Sequence, residues 1–173
     1  LDLAIQQKTG SDPMLTITKA APADKPRLWG RLQEYLRELS AWHGDQPNQG
    51  GEYPYPWFDS YFTDPDRMAL LLETEGQPAG FVLVNRFSCI GESPDHAIAE
   101  FCIQRECRGR GLGLAAAGEI LQRYPGNWEI KYHRGNPAAR GFWEKVTAPY
   151  SPKSTAMEEE TVLSFTVNKE VLL

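Results

Sequence analysis

Histidine and cysteine are scarce, with three of each in 173 residues. Cys89, Cys102 and Cys107 form no Cys-x-x-Cys pair and cannot all pair within the chain. No disulfide framework is indicated, and a reduced, cytoplasmic setting is expected. His43, His96 and His133 are scattered without ligand spacing, so no metal site is expected. No apolar run nears the ~20 residues a membrane-crossing helix needs, so no membrane partner is expected. Leu1 to Pro13 lacks the charged and long apolar segments of a secretion signal. Polar and aperiodic, it reads as a flexible leader or cloning remnant. A single folded domain is then expected over residues 14–173.

Surplus basic charge is missing too. Lys and Arg total 18 against 23 Asp and Glu, a net charge of −5. That argues against nucleic-acid binding, which needs a basic footprint. It suits a cationic small-molecule partner such as an amine. A nucleotide P-loop is absent, because no Gly-Lys-Ser/Thr follows the glycines.

What is present is a sequence of clear elements. Residues 15–19 alternate as a strand. Asp24 is placed to cap a helix running to about Trp42, with Leu28, Leu32, Leu36 and Leu39 as its apolar stripe. A Gly/Pro-rich loop covers 43–56, and a short helix is expected at 57–62. Two apolar runs, 68–74 and 79–86, flank Glu-Gly-Gln-Pro and read as a hairpin. After a loop, residues 96–103 form a strand, followed by a glycine turn and a helix to about Tyr124. Leu114, Ala117, Leu121 and Tyr124 share one face of that helix. A strand at 128–133 precedes a helix capped by Asn136 with Pro137 in its first turn. Its stripe is Ala139, Phe142, Trp143 and Val146. Residues 150–156 and 161–167 are expected to close the chain as a hairpin. The order predicts an α/β (α+β) fold: a mixed, largely antiparallel sheet of about six to seven strands with helices on both faces.

The segment Arg108-Gly109-Arg110-Gly111-Leu112-Gly113 carries the most chemistry. It follows a strand and opens a helix. Glycine lets the backbone approach an anion closely, and N–H groups at a helix start point at it. Arg108 and Arg110 add charge from the sides. A diphosphate is the natural ligand. Gly111-x-Gly113-x-x-Ala116 also matches a dinucleotide fingerprint, with Glu129 as the ribose acid. That alternative predicts an NAD(P)-binding oxidoreductase. It sits poorly behind an antiparallel hairpin.

The turn resembles the cofactor motif of the GNAT N-acetyltransferase superfamily, Arg/Gln-x-x-Gly-x-Gly/Ala. Downstream, Asn136, Ala139, Phe142 and Trp143 match the family's Asn-x-x-Ala-x-x-aromatic-aromatic, and the order of elements agrees from about Met14 onward. The resemblance implies transfer of an acetyl group from acetyl-CoA to a primary amine by direct attack in a ternary complex. It places the CoA diphosphate on residues 108–113 and the pantetheine arm along the preceding strand. A backbone N–H near Cys102 or Ile103 would face the thioester oxygen. Asn136 and Trp143 complete the implied cofactor-binding set. Two departures stand out. Trp143 replaces a tyrosine that in many members reprotonates the CoA thiolate, and Lys145-Val146-Thr147-Ala148 replaces a common Gly-Phe ending. They keep open a non-catalytic acyl-CoA-binding or sensing module on the same fold.

Glu100 is the candidate base. On the strand it is expected opposite Ala99, Phe101 and Ile103, where a half-apolar setting raises a carboxylate's pKa. Tyr53, Tyr55 and Trp57 are the candidate acceptor-binding residues, able to stack on or cradle a cation, with Asp45 and Glu52 nearby. The acceptor's identity is not readable, and a homodimer is left open.

Overall fold

The computed structural model describes residues 14–169; the leader expected over 1–13 lies outside them. In chain order the elements are β1 (Leu15–Lys19), α1 (Lys25–His43), β2 (Arg67–Thr74), β3 (Gln77–Asn85) and β4 (His96–Ile103). There follow α2 (Leu112–Arg123), β5 (Gly126–His133), α3 (Pro137–Thr147), β6 (Lys153–Ala156) and β7 (Glu160–Val167). The seven strands form one sheet in the order β1-β2-β3-β4-β5-β7-β6. Every neighbouring pair is antiparallel except β4 and β5.

Local chemistry accounts for the boundaries. The β2–β3 connection is a tight turn at Glu75 and Gly76, both at positive φ, and its twist matches that of the flanking strands. Asp24 precedes α1, but its Oδ2 accepts from the Ala21 N–H (2.8 Å) rather than capping the helix interior. Gly44, at φ +71°, ends α1 by donating its N–H to the Ser40 carbonyl. Asn136 caps α3 as expected, its Oδ1 accepting from the Ala139 N–H at 3.0 Å.

α1 covers one face of the sheet; α2 and α3 cover the other. On the α1 face Leu28, Leu32, Phe58 and Tyr61 pack against Leu71, Phe81 and Leu83. On the opposite face Ile120, Leu121 and Trp143 pack against Leu70, Val82 and Trp128. The buried stripe of α2 runs through Leu112, Ala116, Ala117, Ile120 and Leu121, rotated from the expected Leu114–Leu121 line. The last hairpin is shorter than expected. Pro149 and Pro152 deny ladder bonds, Ala148–Tyr150 coil into a 3-10 turn, and β6 starts only at Lys153.

Two irregularities on β4 open the sheet. Leu83 pairs with Glu100 and Val84 with Ile98, so Ala99 is an extra residue in the strand, a β-bulge. The expectation that Glu100 lies opposite Ala99 is thereby corrected. Ala99 packs on the α1 face, as Glu100 does, while Phe101 and Ile103 pack on the other. In addition, β4 and β5 pair over only three positions, His96–Trp128, Ala97–Glu129 and Ile98–Ile130. Beyond Ile98 the strands part and leave a gap.

Candidate active site

The gap is the centre of a cleft of about 420 Å³. α1 contributes Tyr35, Leu36, Leu39 and His43. β4 contributes Ile98 to Phe101, and β5 contributes Lys131, Tyr132 and His133. Asn136, the N-cap of α3, and Ala139 and Trp143 of α3 close the other side.

The edge of β4 facing this gap is unpaired. The Gln104 N–H donates to the Ala79 carbonyl at 2.8 Å. Strand alternation therefore turns the main-chain groups of Cys102 toward β3, and those of Phe101 and Ile103 toward the gap. Of the two expected amides, Cys102 is spent on the sheet and Ile103 faces the opening, while the Phe101 N–H donates to the Tyr35 hydroxyl. The Cys102 thiol is buried on the α1 face. Burial pushes it up to about 11, so it rests as a thiol.

At the end of the gap lies the glycine turn. Gly109 and Gly111 have φ of +76° and +77°, a conformation L-residues seldom adopt. Among the described residues, no protein acceptor meets the N–H groups of Gly109, Arg110, Gly111, Leu112, Gly113 or Leu114. A run of convergent, unspent amides at a helix start is an anion cradle. Gly113 serves packing: a Cβ there would meet Phe142 at 3.2 Å and Ile103 at 3.4 Å. The two arginines differ. Arg110 reaches only the Glu106 carbonyl (3.2 Å) and remains exposed. Arg108 donates to the Ile103 carbonyl at 2.7 Å and to Glu38 at 2.9 Å, turning away from the cradle.

Glu100 projects into the cleft from beside the bulge. Its Oε1 accepts from the Tyr55 hydroxyl at 3.1 Å, and the Tyr35 hydroxyl bonds the same carboxyl group. Burial lifts Glu100 from the ordinary carboxylate range to about 7. The two tyrosine hydrogen bonds and the Lys131 charge pull the other way, and Glu160 adds to the rise. Lys131 holds Glu160 with both carboxylate oxygens within 3.1 Å. Tyr35 and Tyr55 are both raised well above the usual phenol range, first by burial and then by the Glu100 charge.

The acceptor candidates separate. Tyr55 lines the cleft. Tyr53 is buried, its backbone tied to the Gln33 side chain and its hydroxyl turned to Ser40. Trp57 is 60% exposed and stacks on the Arg67 guanidinium, away from the cleft. Asp45 lines the cleft, while Glu52 accepts from the Trp29 indole N–H outside it. Asn136 lines the cleft while capping α3, and Trp143 packs edge-on against Phe101 with ring centroids 5.1 Å apart. Cleft residues not anticipated include Tyr35, Lys131, Glu160, Tyr132 and His43, whose ring meets that of His133 with centroids 5.1 Å apart. Tyr35 was within reach, since helical spacing puts it beside Leu32 and Leu39. Alternation likewise groups Glu129, Lys131 and His133 on one face of β5. Among the described residues no three His, Cys, Asp or Glu side chains converge as metal ligands. No helix there is long and apolar enough to cross a membrane.

A sheet split between two parallel strands, with a run of unspent amides at its open end and a half-buried carboxylate beside the split, is the frame of an acyltransferase. The chain belongs to the acetyltransferase (GNAT) family, whose profile matches residues 29–147. No curated protein matches it. Solved structures share the fold at low identity. An acetyltransferase from Thermus thermophilus superposes with a TM-score of 0.66 at 20% identity, covering 88% of this chain and 97% of that one. The PaiA N-acetyltransferase from Thermoplasma acidophilum, in complex with coenzyme A, gives 0.59 at 14% identity, covering 88% of this chain and 98% of that one. The aminoglycoside acetyltransferase AAC(6')-Ib, also with coenzyme A, gives 0.64 at 13%, covering 88% and 94%. A dinucleotide fold, built on consecutive parallel strands, is excluded by the single parallel pair.

Proposed function

We propose that the protein transfers an acetyl group from acetyl-CoA to a small primary amine by direct attack in a ternary complex. The observation that carries this reading is the placement of Glu100. It is a partly buried carboxylate at the edge of an unpaired gap whose far end is an amide cradle.

The amides of residues 109–114 suit the diphosphate, and Arg110 adds charge. The open edges of β4 and β5 suit an extended pantetheine arm, bound through main-chain groups like an added strand. Acetyl-CoA supplies the activated acyl carbon. The Ile103 N–H faces the gap and can stabilise negative charge developing on the thioester oxygen. Amines are cationic at neutral pH and attack only when neutral. Glu100, lifted to about 7, is matched to removing that proton near neutrality. Tyr35 and Tyr55 orient its carboxyl group. Lys131 balances Glu160, which leaves Asp45 as the further acidic group on the acceptor side, a setting that suits a cation.

A non-catalytic acyl-CoA sensor is the second reading, favoured by Trp143 at the position where many members carry a tyrosine. Turnover with a panel of amines separates the two. Release of CoA thiol with at least one amine is expected. CoA binding without thiol release for any amine would establish the sensor.

A further inference from the structure

Direct transfer leaves a thiolate, and the sulfur needs a proton donor on its own side of the gap. The groups lining the cleft sort by face. Glu100, Tyr35, Tyr55, His43, Lys131, His133 and Glu160 all belong to the α1 side or to the strand positions facing it. Glu100 takes a proton there. Tyr35 and Tyr55 are turned to it and grip their own protons. His133 accepts the Gly135 N–H on Nδ1 (3.0 Å), and its ring packs against that of His43.

The α2–α3 side is where the amide cradle opens. Its cleft lining is Ile98, Phe101, Tyr132, Asn136, Ala139 and Trp143. Tyr132 alone among these carries a readily dissociable proton, since an indole N–H does not ionise in water. Tyr132 stands on β5 two residues past Ile130, where the strands have already parted. Its ring is 8% exposed and packs with the core that holds Trp143. Among the described residues its hydroxyl meets no acceptor, and it is not a sealed, unpartnered atom either. Tyr132 lines the cleft, and the Arg140 side chain of α3 lies within electrostatic reach of its hydroxyl.

We propose that Tyr132 is the proton donor to the departing sulfur, a role that rests on the acetyl-transfer reading above. The amine nitrogen bonds to the carbonyl carbon and Glu100 takes the nitrogen's proton. The C–S bond breaks with its electron pair on sulfur, which takes the proton from Tyr132 Oη. Water entering the open cleft reprotonates the tyrosinate and receives the proton from Glu100. Base and acid thus stand on opposite faces of one sheet, reaching a common point through its split.

The test is Tyr132→Phe, which removes one oxygen that bonds to nothing and leaves the ring packed. With an amine that the wild type acetylates, kcat should fall about 10²-fold, the low end of general acid catalysis. KM for both substrates, CoA affinity by calorimetry and Tm should stay at wild-type values. Fluorotyrosine at position 132, which keeps an O–H, should restore kcat to within about tenfold of wild type. A Tyr132→Phe kcat within twofold of wild type overturns the proposal. So does a loss expressed as weaker acetyl-CoA binding, or a fluorotyrosine protein no faster than Tyr132→Phe. A wild type that binds CoA but acetylates no amine overturns the transfer reading itself, before any variant is made.

Discussion

Glu100 links chemistry to stability at a single position. The proposed base must be ionised, so kcat should fall tenfold per pH unit below about 7 and level off above it. Glu100→Gln should lower kcat by about 10²–10⁴-fold and abolish that limb, as a pH series on both proteins would show. The same proton governs folding in the opposite sense. The native carboxyl holds it to about pH 7, whereas the unfolded chain releases it near 4.5. Native stability contributed by this group is therefore full below pH 4.5 and declines as pH rises to 7. Urea titrations should find that decline flattened in Glu100→Gln. Gly111 is the second telling residue. An L-side chain at its φ of +77° costs about 1–2 kcal/mol, and a carboxylate would oppose the anion the amides attract. Gly111→Glu should weaken CoA binding more than tenfold in calorimetry while circular dichroism keeps its native form.

At the scale of elements, what was legible and what was not divide along physical lines. The glycine turn and the Asn136 cap are local: capping and positive φ act within a few residues, so spacing alone reveals them. The Ala99 bulge is not local. It follows from how β4 pairs with β3, and without it strict alternation assigns Ala99 to the wrong face. The partners of Glu100 come from α1, from the loop holding Tyr55 and from β5 and β7, which chain order cannot bring together. The aromatic loop shows the same limit. Composition grouped Tyr53, Tyr55 and Trp57 as one surface, but packing turned one inward, one to the cleft and one to Arg67. The strand carrying the site depends in turn on its neighbour. A Cβ at Gly80 of β3 would lie 2.1 Å from the Cys102 carbonyl oxygen, and backbone cannot move aside cheaply. Gly80→Ala should force β3 and β4 apart, costing about 1–3 kcal/mol in denaturant titrations. Because β4 holds Glu100, activity should fall as well.

Across the whole molecule, the sheet is two half-sheets, β1 to β4 and β5 to β7, joined by three paired positions. A ligand strand laid in the gap would bond to both. Binding only to the native state, CoA at a hundred times its Kd should add about 2.7 kcal/mol. For a chain of this size that raises Tm by roughly 5–10 °C, which thermal melts with and without CoA would read. The unpaired edge has one more consequence. Everything that joins the half-sheets, the extended arm and the diphosphate, survives in the spent carrier once its cargo is delivered. Used and fresh carrier should then compete for one berth, so added CoA should inhibit competitively against acetyl-CoA in initial-rate measurements.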